Sequence, residues 1–230
     1  MIVFAYNFPH LKTQIGLFNL FYYGYKPHVI LAPFTRLNHY RSKIRIVPKH
    51  LDLLEPRSIC GKLGFSFTIC PHNESEEICK ANDGEIGIIL GARILKKEII
   101  NCFTLGIINA HCGVLPENRG LDNIKWAILL NLPQGVTTHY INELIDHGRI
   151  IDKKIINVYE DDTLTDIYLR LLFAEQEMLI HSIGKEGKPM AQRGYRNSVP
   201  METEEKLMRY FPHYKKVYGE ICENYFLYYK

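Results

Sequence analysis

The residues best suited to chemistry lie in two stretches near the middle of the chain. Asn109-Ala110-His111 continues into Leu115-Pro116-Glu117-Asn118-Arg119-Gly120, and Asp146-His147-Gly148 follows a second β-like run. An amide N–H and a protonated imidazole stabilise the oxyanion of a tetrahedral intermediate, while a carboxylate orients the imidazole or carries a proton through water. Asn109, His111 and Asp146 therefore predict acyl transfer to an amine.

An activated nucleophile is missing from both stretches. Cys112 follows His111 directly, and neighbouring residues of extended chain point to opposite sides, so we see no group that would activate its thiol. We expect direct attack by the acceptor amine rather than an acyl-enzyme intermediate. A histidine at a strand end is more often structural, and Asp146-His147-Gly148 alone would read as a turn. The prediction therefore depends on the spacing of the whole set.

Short apolar runs alternate with helical stretches ahead of these residues. The pattern predicts an α/β fold with a Rossmann-like, mainly parallel sheet and helices on both faces. Strands are expected at 2–5, 29–31, 66–69, 86–90 and 106–108, and helices at 12–23, 57–63, 74–81 and 96–101, with Asn73 at a helix start. A strand ending at Asn109 places Asn109 and His111 at the carboxyl edge of the sheet, where open α/β folds bind ligands.

The second half of the chain has a different pattern of predicted elements. We predict a helix over 122–130, β-like runs over 136–141 and 150–158, a long helix over 162–183 and a Glu/Lys-rich helix from Glu202. A catalytic domain would cover 1–183. An extension over 184–230, rich in aromatic residues near its end, would dock on the body or at a subunit interface, and the second arrangement would make a homodimer.

Composition excludes several classes of protein. With 47% hydrophobic and 23% charged residues among 230, the chain is neither disordered nor fibrous. Apolar runs are too short for a membrane span, the first residues lack a secretory pattern, and the six cysteines lack paired metal-ligand spacing, so we expect a cytoplasmic protein with no metal and no membrane partner. A pI near 8.4 without a recognition module argues against nucleic acid.

Positive charge is concentrated in the first quarter of the chain. Residues 1–51 contain seven lysines and arginines and no acidic residue, and Arg41, Lys43 and Arg45 alternate as one face of extended chain would. These three residues are candidates for binding an anionic group of a substrate. The alternative is a solvated loop.

The stretch 85–163 resembles the folate-dependent formyltransferases. Residues 91–95 resemble the family's folate-side loop, Asn109-Ala110-His111 and 115–120 its signature loop, and 135–148 its Asp loop. The resemblance implies that Asn109, His111 and Asp146 are catalytic, that Arg119 and Gly120 contact the acceptor, and that N10-formyltetrahydrofolate is the formyl donor. It places the donor against Arg93, Ile94, Leu95, Ile141, Asn142 and Ile145.

Within that family the sequence is most similar to the sugar N-formyltransferases. Gly113, Trp126-Ala127-Ile128, Gly135-Val136-Thr137 and Asp146-x-Gly148-x-Ile150-Ile151 carry this resemblance. It implies a nucleotide-linked amino-dideoxy sugar as acceptor, in the biosynthesis of O-antigen or lipopolysaccharide. Trp126 is expected to pack in the core. The cationic first quarter suits the diphosphate of such an acceptor.

Three alternatives remain open. A ribonucleotide amine or another small amine would serve the same chemistry, although residues 6–10 lack the glycine-rich phosphate cradle of the ribonucleotide enzymes. A methionyl-tRNA acceptor is disfavoured, because about 47 residues follow Ile183 and the tRNA enzymes append a larger domain. A module that binds folate or a nucleotide without catalysis is the alternative from another functional class.

Overall fold

The computed structural model describes residues 1–33, 44, 46–48, 51–82 and 84–220. Within them, seven strands form one sheet in the order β3-β2-β1-β4-β5-β6-β7. The strands are β1 Ile2–Tyr6, β2 His28–Ala32, β3 Ser66–Ile69, β4 Ile86–Ile89, β5 Gly106–His111, β6 Gly135–Tyr140 and β7 Ile150–Ile155. The first five are parallel, whereas β6 runs antiparallel to β5 and β7 antiparallel to β6.

Helices cover both faces of the sheet. They are α1 Leu11–Tyr22, α2 Pro56–Leu63, α3 Glu76–Ala81, α4 Lys97–Ile100, α5 Asn123–Leu129, α6 Leu164–His181 and α7 Glu204–Tyr218. One buried cluster joins the sheet to α1, α2, α5, α6 and α7, and a second joins the other face to α3 and α4. This arrangement confirms the predicted α/β class, with a mainly parallel sheet enclosed between helices.

The long helix α6 shows how local sequence sets an element that the site uses. Thr163 caps its N-terminus and exchanges hydrogen bonds with Asp166, which forms a capping box. Apolar residues recur at helical spacing along the helix and are buried against the sheet, namely Leu164, Ile167, Leu171, Leu172, Met178 and Leu179. The predicted helix and its buried face are therefore both observed.

Two predicted boundaries are wrong. Strand β5 does not end at Asn109 but continues through His111, because Asn109 pairs with His139 and His111 pairs with Thr137 on the antiparallel strand β6. Asn73 does not start α3, whose N-cap is Ser75. Its side chain instead donates to the carbonyl of Ile94 and accepts from the backbone N–H of Lys96. Asn73 thus holds the loop after β4.

Residues 184–220 pack on the rest of the described chain. Helix α7 lies against α5, and the hydroxyl of Tyr214 donates to the carbonyl of Leu132. A short parallel pairing joins β8 (Val158–Tyr159) to β9 (Gly219–Glu220). None of the helices in the described residues is long and apolar enough to cross a membrane. The predicted anion-binding residues Arg41, Lys43 and Arg45 lie outside the described residues.

Candidate active site

The three residues predicted to be catalytic meet at the carboxyl end of β5. Asn109 and His111 are two positions apart on this strand and point to the same side of the sheet. Asp146, in the loop after β6, places Oδ1 3.4 Å from His111 Nδ1. Asp146 has a φ of 48°, a left-handed conformation that aspartate adopts more readily than most residues. An amide, an imidazole and a carboxylate therefore converge at one point.

His111 is held from behind by the loop that follows it. Its side chain is 7% exposed, and Nε2 lies 3.0 Å from the carbonyl oxygen of Asn118 and 3.0 Å from Nδ2 of Asn123. The Asn123 amide also donates to that carbonyl at 2.7 Å. Each ring nitrogen of His111 therefore faces an oxygen acceptor, Asp146 on one side and Asn118 on the other. Polar neighbours on both sides therefore fix the direction of the imidazole ring.

Gly113 makes this support possible. A Cβ at this position would lie 2.6 Å from the carbonyl oxygen of Asn118 and 3.0 Å from Nε2 of His111. Such distances are too short for ordinary contact, so the loop approaches the imidazole only because residue 113 has no side chain. The hydroxyl of Thr137 donates to the Gly113 carbonyl and accepts from the N–H of Leu115. The loop is thereby fastened to β6.

His139 completes the site and was not predicted from the sequence. It is fully buried on β6, with Nε2 3.4 Å from Asn109 Nδ2 and 4.0 Å from Asp146 Oδ1. Burial, helped by the nearby His111, lowers its pKa to about 4, so the ring is neutral near pH 7. Nδ1 lies 3.1 Å from the carbonyl of Tyr140 and donates to it. Nε2 therefore accepts from the Asn109 amide and fixes its orientation.

A cleft of about 170 Å³ opens beside these residues. Its floor includes Asn109 and Asp146, and its walls come from the loops after β4 and β6. All six residues predicted to contact the formyl donor line it, namely Arg93, Ile94, Leu95, Ile141, Asn142 and Ile145. His111 lies behind Asp146 and is not part of the lining. The sequence-based grouping of two distant loops is thus observed as one surface.

Arg119 and Gly120 make structural contacts in addition to any contact with a substrate. The Arg119 guanidinium donates to the carbonyls of Ile145 and Arg193, at 2.7 and 2.9 Å, and lies over the ring of Tyr195. Gly120 has a φ of 117° and pairs with Arg196, whose carbonyl would collide with a Cβ. These residues tie the signature loop to the Asp loop and to segment 193–196.

Cys112 has the character of a packed side chain. Burial, with the nearby Glu175 adding to it, raises the pKa of its thiol well above the ordinary value, which opposes thiolate formation. It does not line the cleft. Among the described residues, no three histidine, cysteine, aspartate or glutamate side chains are grouped so that they could hold a metal ion.

The missed residues carry a weak signal in the sequence. Thr137, Thr138 and His139 are three consecutive polar residues in a strand whose six members are all buried. Buried polar residues need hydrogen-bond partners, so such a run marks a strand that supports a polar site. Asn118 and Asn123 carry no comparable signal, because their contacts with His111 depend on how the loop folds back.

Comparison with known proteins identifies related formyltransferases. Residues 74–183, just under half of the chain, match the family model described as formyl transferase. Over this segment the chain is similar to the formyl transferase family. A methionyl-tRNA formyltransferase from Pelotomaculum thermopropionicum is 26% identical over 142 residues, which cover 59% of this chain and 45% of the relative. The chain therefore spans less than half the length of that curated relative.

Solved structures of formyltransferases share the fold. An N-formyltransferase from Helicobacter canadensis, in complex with folinic acid and dTDP-3-aminofucose, has a TM-score of 0.61 at 20% sequence identity. The match covers 85% of this chain and 70% of the Helicobacter chain. Glycinamide ribonucleotide transformylase 1 from Symbiobacterium toebii has a TM-score of 0.60 at 16% sequence identity, and the match covers 83% of this chain and 94% of that one. At these identities the likeness concerns the fold alone.

Proposed function

We propose that this protein is a formyltransferase that moves a formyl group from N10-formyltetrahydrofolate to a primary amine. The observation that carries the proposal is the meeting of Asn109, His111 and Asp146 beside the cleft. The donor fits the cleft's chemistry, since Ile94, Leu144 and Ile145 are 65%, 52% and 39% exposed along it. Exposed apolar side chains around a polar floor suit a flat aromatic ligand with a reactive polar atom.

The transfer needs one bond to form and one to break. The neutral amine attacks the formyl carbon, the formyl oxygen becomes an oxyanion, and the bond from carbon to N10 then breaks as N10 gains a proton. The Asn109 amide lines the cleft and is placed to stabilise the oxyanion, and such a donor contributes about 100-fold in rate. His111 lies behind Asp146 and holds this carboxylate through Nδ1. Asp146 relays the amine's proton toward N10, directly or through water.

We propose a nucleotide-linked amino-dideoxy sugar as the acceptor, in surface polysaccharide (O-antigen) biosynthesis. Arg119, Arg193 and Arg196 lie together where segment 193–196 meets the signature loop. None of the three forms an ion pair with a carboxylate among the described residues, so their charge is available to an anion such as a diphosphate. The Helicobacter structure, which shares the fold, contains a dTDP-linked amino sugar, so this fold accommodates an acceptor of this class. Arg41, Lys43 and Arg45 stay candidates for the same role.

The test combines variants with a panel of acceptors. His111→Ala and Asp146→Asn should lower formyl transfer by at least about 100-fold while the proteins stay folded. Asp152→Asn, which removes an exposed carboxylate on β7, is the matched control and should retain full activity. Near-normal turnover by either site variant would refute the catalytic assignment.

The acceptor panel separates the open alternatives. It contains dTDP- and UDP-linked amino sugars, glycinamide ribonucleotide and methionyl-tRNA, with release of tetrahydrofolate as the readout. Transfer to an amino sugar alone supports the proposed acceptor, and preferential transfer to glycinamide ribonucleotide or to methionyl-tRNA overturns it. The similarity to methionyl-tRNA formyltransferases makes the tRNA an essential member of the panel. Donor binding without transfer to any acceptor would identify a non-catalytic module.

A further inference from the structure

The first turn of α1 contacts the ends of two strands that border the cleft. Lys12 Nζ donates to the carbonyl of Ala110 at 2.9 Å, and the hydroxyl of Thr13 donates to the carbonyl of Leu90 at 3.3 Å. Ala110 lies between Asn109 and His111 on β5, and Leu90 directly follows β4. A helix from the beginning of the chain therefore holds backbone on both sides of the proposed chemistry.

The Ala110 carbonyl is positioned to need a side-chain donor. The parallel pairing between β4 and β5 ends with the pair Ile89 and Asn109, so Ala110 lies one residue beyond the ladder. Ala110 is 2% exposed, and a buried carbonyl without a partner costs about 1 to 3 kcal/mol. Lys12 therefore supplies, from 98 residues away, a hydrogen bond that the sheet no longer offers.

Glu175 on α6 holds the lysine in place. Its Oε1 lies 3.1 Å from Lys12 Nζ, and the two side chains are 8% and 19% exposed. A charge taken out of water needs a close partner of opposite sign, and the pair leaves the ammonium aimed at one carbonyl. The two contacts, from Glu175 on α6 to Lys12 and from Lys12 to the Ala110 carbonyl, form a continuous series that is largely shielded from solvent.

We propose that Lys12, oriented by Glu175, is a positioning residue for Asn109 and His111. Lys12 touches neither reactant; it fixes the peptide that joins Ala110 to His111, and with it the backbone from which the Asn109 and His111 side chains project. This inference rests on the proposed function of the site. A displacement of about 1 Å in a catalytic group lowers turnover by about 100-fold, so a single anchor of this kind can govern kcat.

The experiment compares variants that remove ion pairs at different places. Lys12→Met should lower kcat about 10- to 100-fold and leave KM for donor and acceptor within about twofold, because the walls of the cleft are untouched. Glu175→Gln, which keeps an oxygen for the lysine, should cause a smaller loss. Arg170→Met is the matched control: Arg170 lies on the same helix as Glu175, and its loss breaks an ion pair with Asp162, which should lower stability without changing kcat.

A double variant covers the case in which Lys12→Met does not fold. Lys12→Met/Glu175→Met removes both charges together, and replacing a buried ion pair by apolar groups of similar volume is often neutral for stability. Its kcat should fall as far as that of the single variant. A folded Lys12→Met or double variant that keeps kcat within about threefold of the wild type would overturn the proposal.

A structural readout keeps this inference separate from the proposed function. If the wild-type protein transfers formyl to no acceptor, the catalytic proposal fails, and the positioning role is then judged from a crystal structure of the double variant. We expect the Ala110 carbonyl to turn and His111 Nδ1 to move by about 1 Å or more relative to Asp146 Oδ1. Unchanged positions of these atoms would overturn the positioning role.

Discussion

Replacing His139 by asparagine measures how much the buried, neutral imidazole contributes to the pH dependence of the unfolding free energy. Asparagine can still donate to the Tyr140 carbonyl, as Nδ1 does now, but it has no group that titrates near neutral pH. The pKa of His139 is about 4 in the folded protein and about 6.5 in an unfolded chain. Between these values the unfolded state binds more protons than the folded state.

The sign and size of the effect follow from this difference. The stabilising contribution of His139 is complete above about pH 6.5 and is lost as the pH falls toward 4, because its imidazole binds a proton in the unfolded chain but not when it is buried in the folded protein. At about pH 5 the loss amounts to about 2 kcal/mol. The cavity and the lost Asn109 contact in His139→Asn act at every pH and leave the pH dependence unchanged.

The assay is urea unfolding of both proteins at about pH 7.5 and about pH 5. Wild-type protein should lose about 2 kcal/mol more unfolding free energy between the two values than His139→Asn does. His10, whose pKa burial also lowers to about 4, is present in both proteins and cancels in the comparison. Equal losses in the two proteins would refute the assignment of a neutral His139 and of the tautomer that accepts from Asn109.

Three further substitutions test the packing around the signature loop. Gly113→Ala should lower kcat at least about tenfold in a steady-state assay, since its Cβ displaces the Asn118 carbonyl from His111; an unchanged kcat would contradict the role of that contact. Cys112→Ala should keep kcat within about threefold, and loss of transfer would instead implicate the thiol. Gly120→Ala should lower the unfolding free energy by about 1 to 3 kcal/mol, because of its φ of 117° and the collision with Arg196; urea curves that coincide with the wild type would show that the segment can move aside.

Much of the fold follows from local pattern. The five parallel strands and the buried face of α6 agree with apolar runs and helical spacing, since both reflect which side chains avoid water. The predicted end of β5 is wrong because that prediction also relied on polarity alone. Asn109 and His111 look like the start of a loop when only polarity is considered, and they stay in the strand because β6 pairs with them from about 30 residues away.

The same distinction between local pattern and long-range contacts applies to the site. The spacing of Asn109 and His111 and the separate Asp146 predicted a meeting that the structure shows, with His111 Nδ1 3.4 Å from Asp146 Oδ1. The neutral His139 beside them was not predicted, because its protonation state depends on burial and on the charge of His111. Asn73, predicted as a helix start, instead bonds the loop at Ile94 and Lys96, which lie more than 20 residues later in the chain.

The amino-acid sequence by itself determined the class of fold, the strand that carries the amide and the imidazole, and the two loops that form the cleft. The class of fold and the strand follow from side-chain polarity and from spacing along one element, and the two loops follow from the resemblance to the formyltransferases. Only the tertiary structure decided which groups hold them, as Lys12 and Glu175 hold Ala110 and as Asn118 holds His111. A buried polar group takes whichever partner the packing brings within about 3 Å, and that choice is made between residues far apart in the chain.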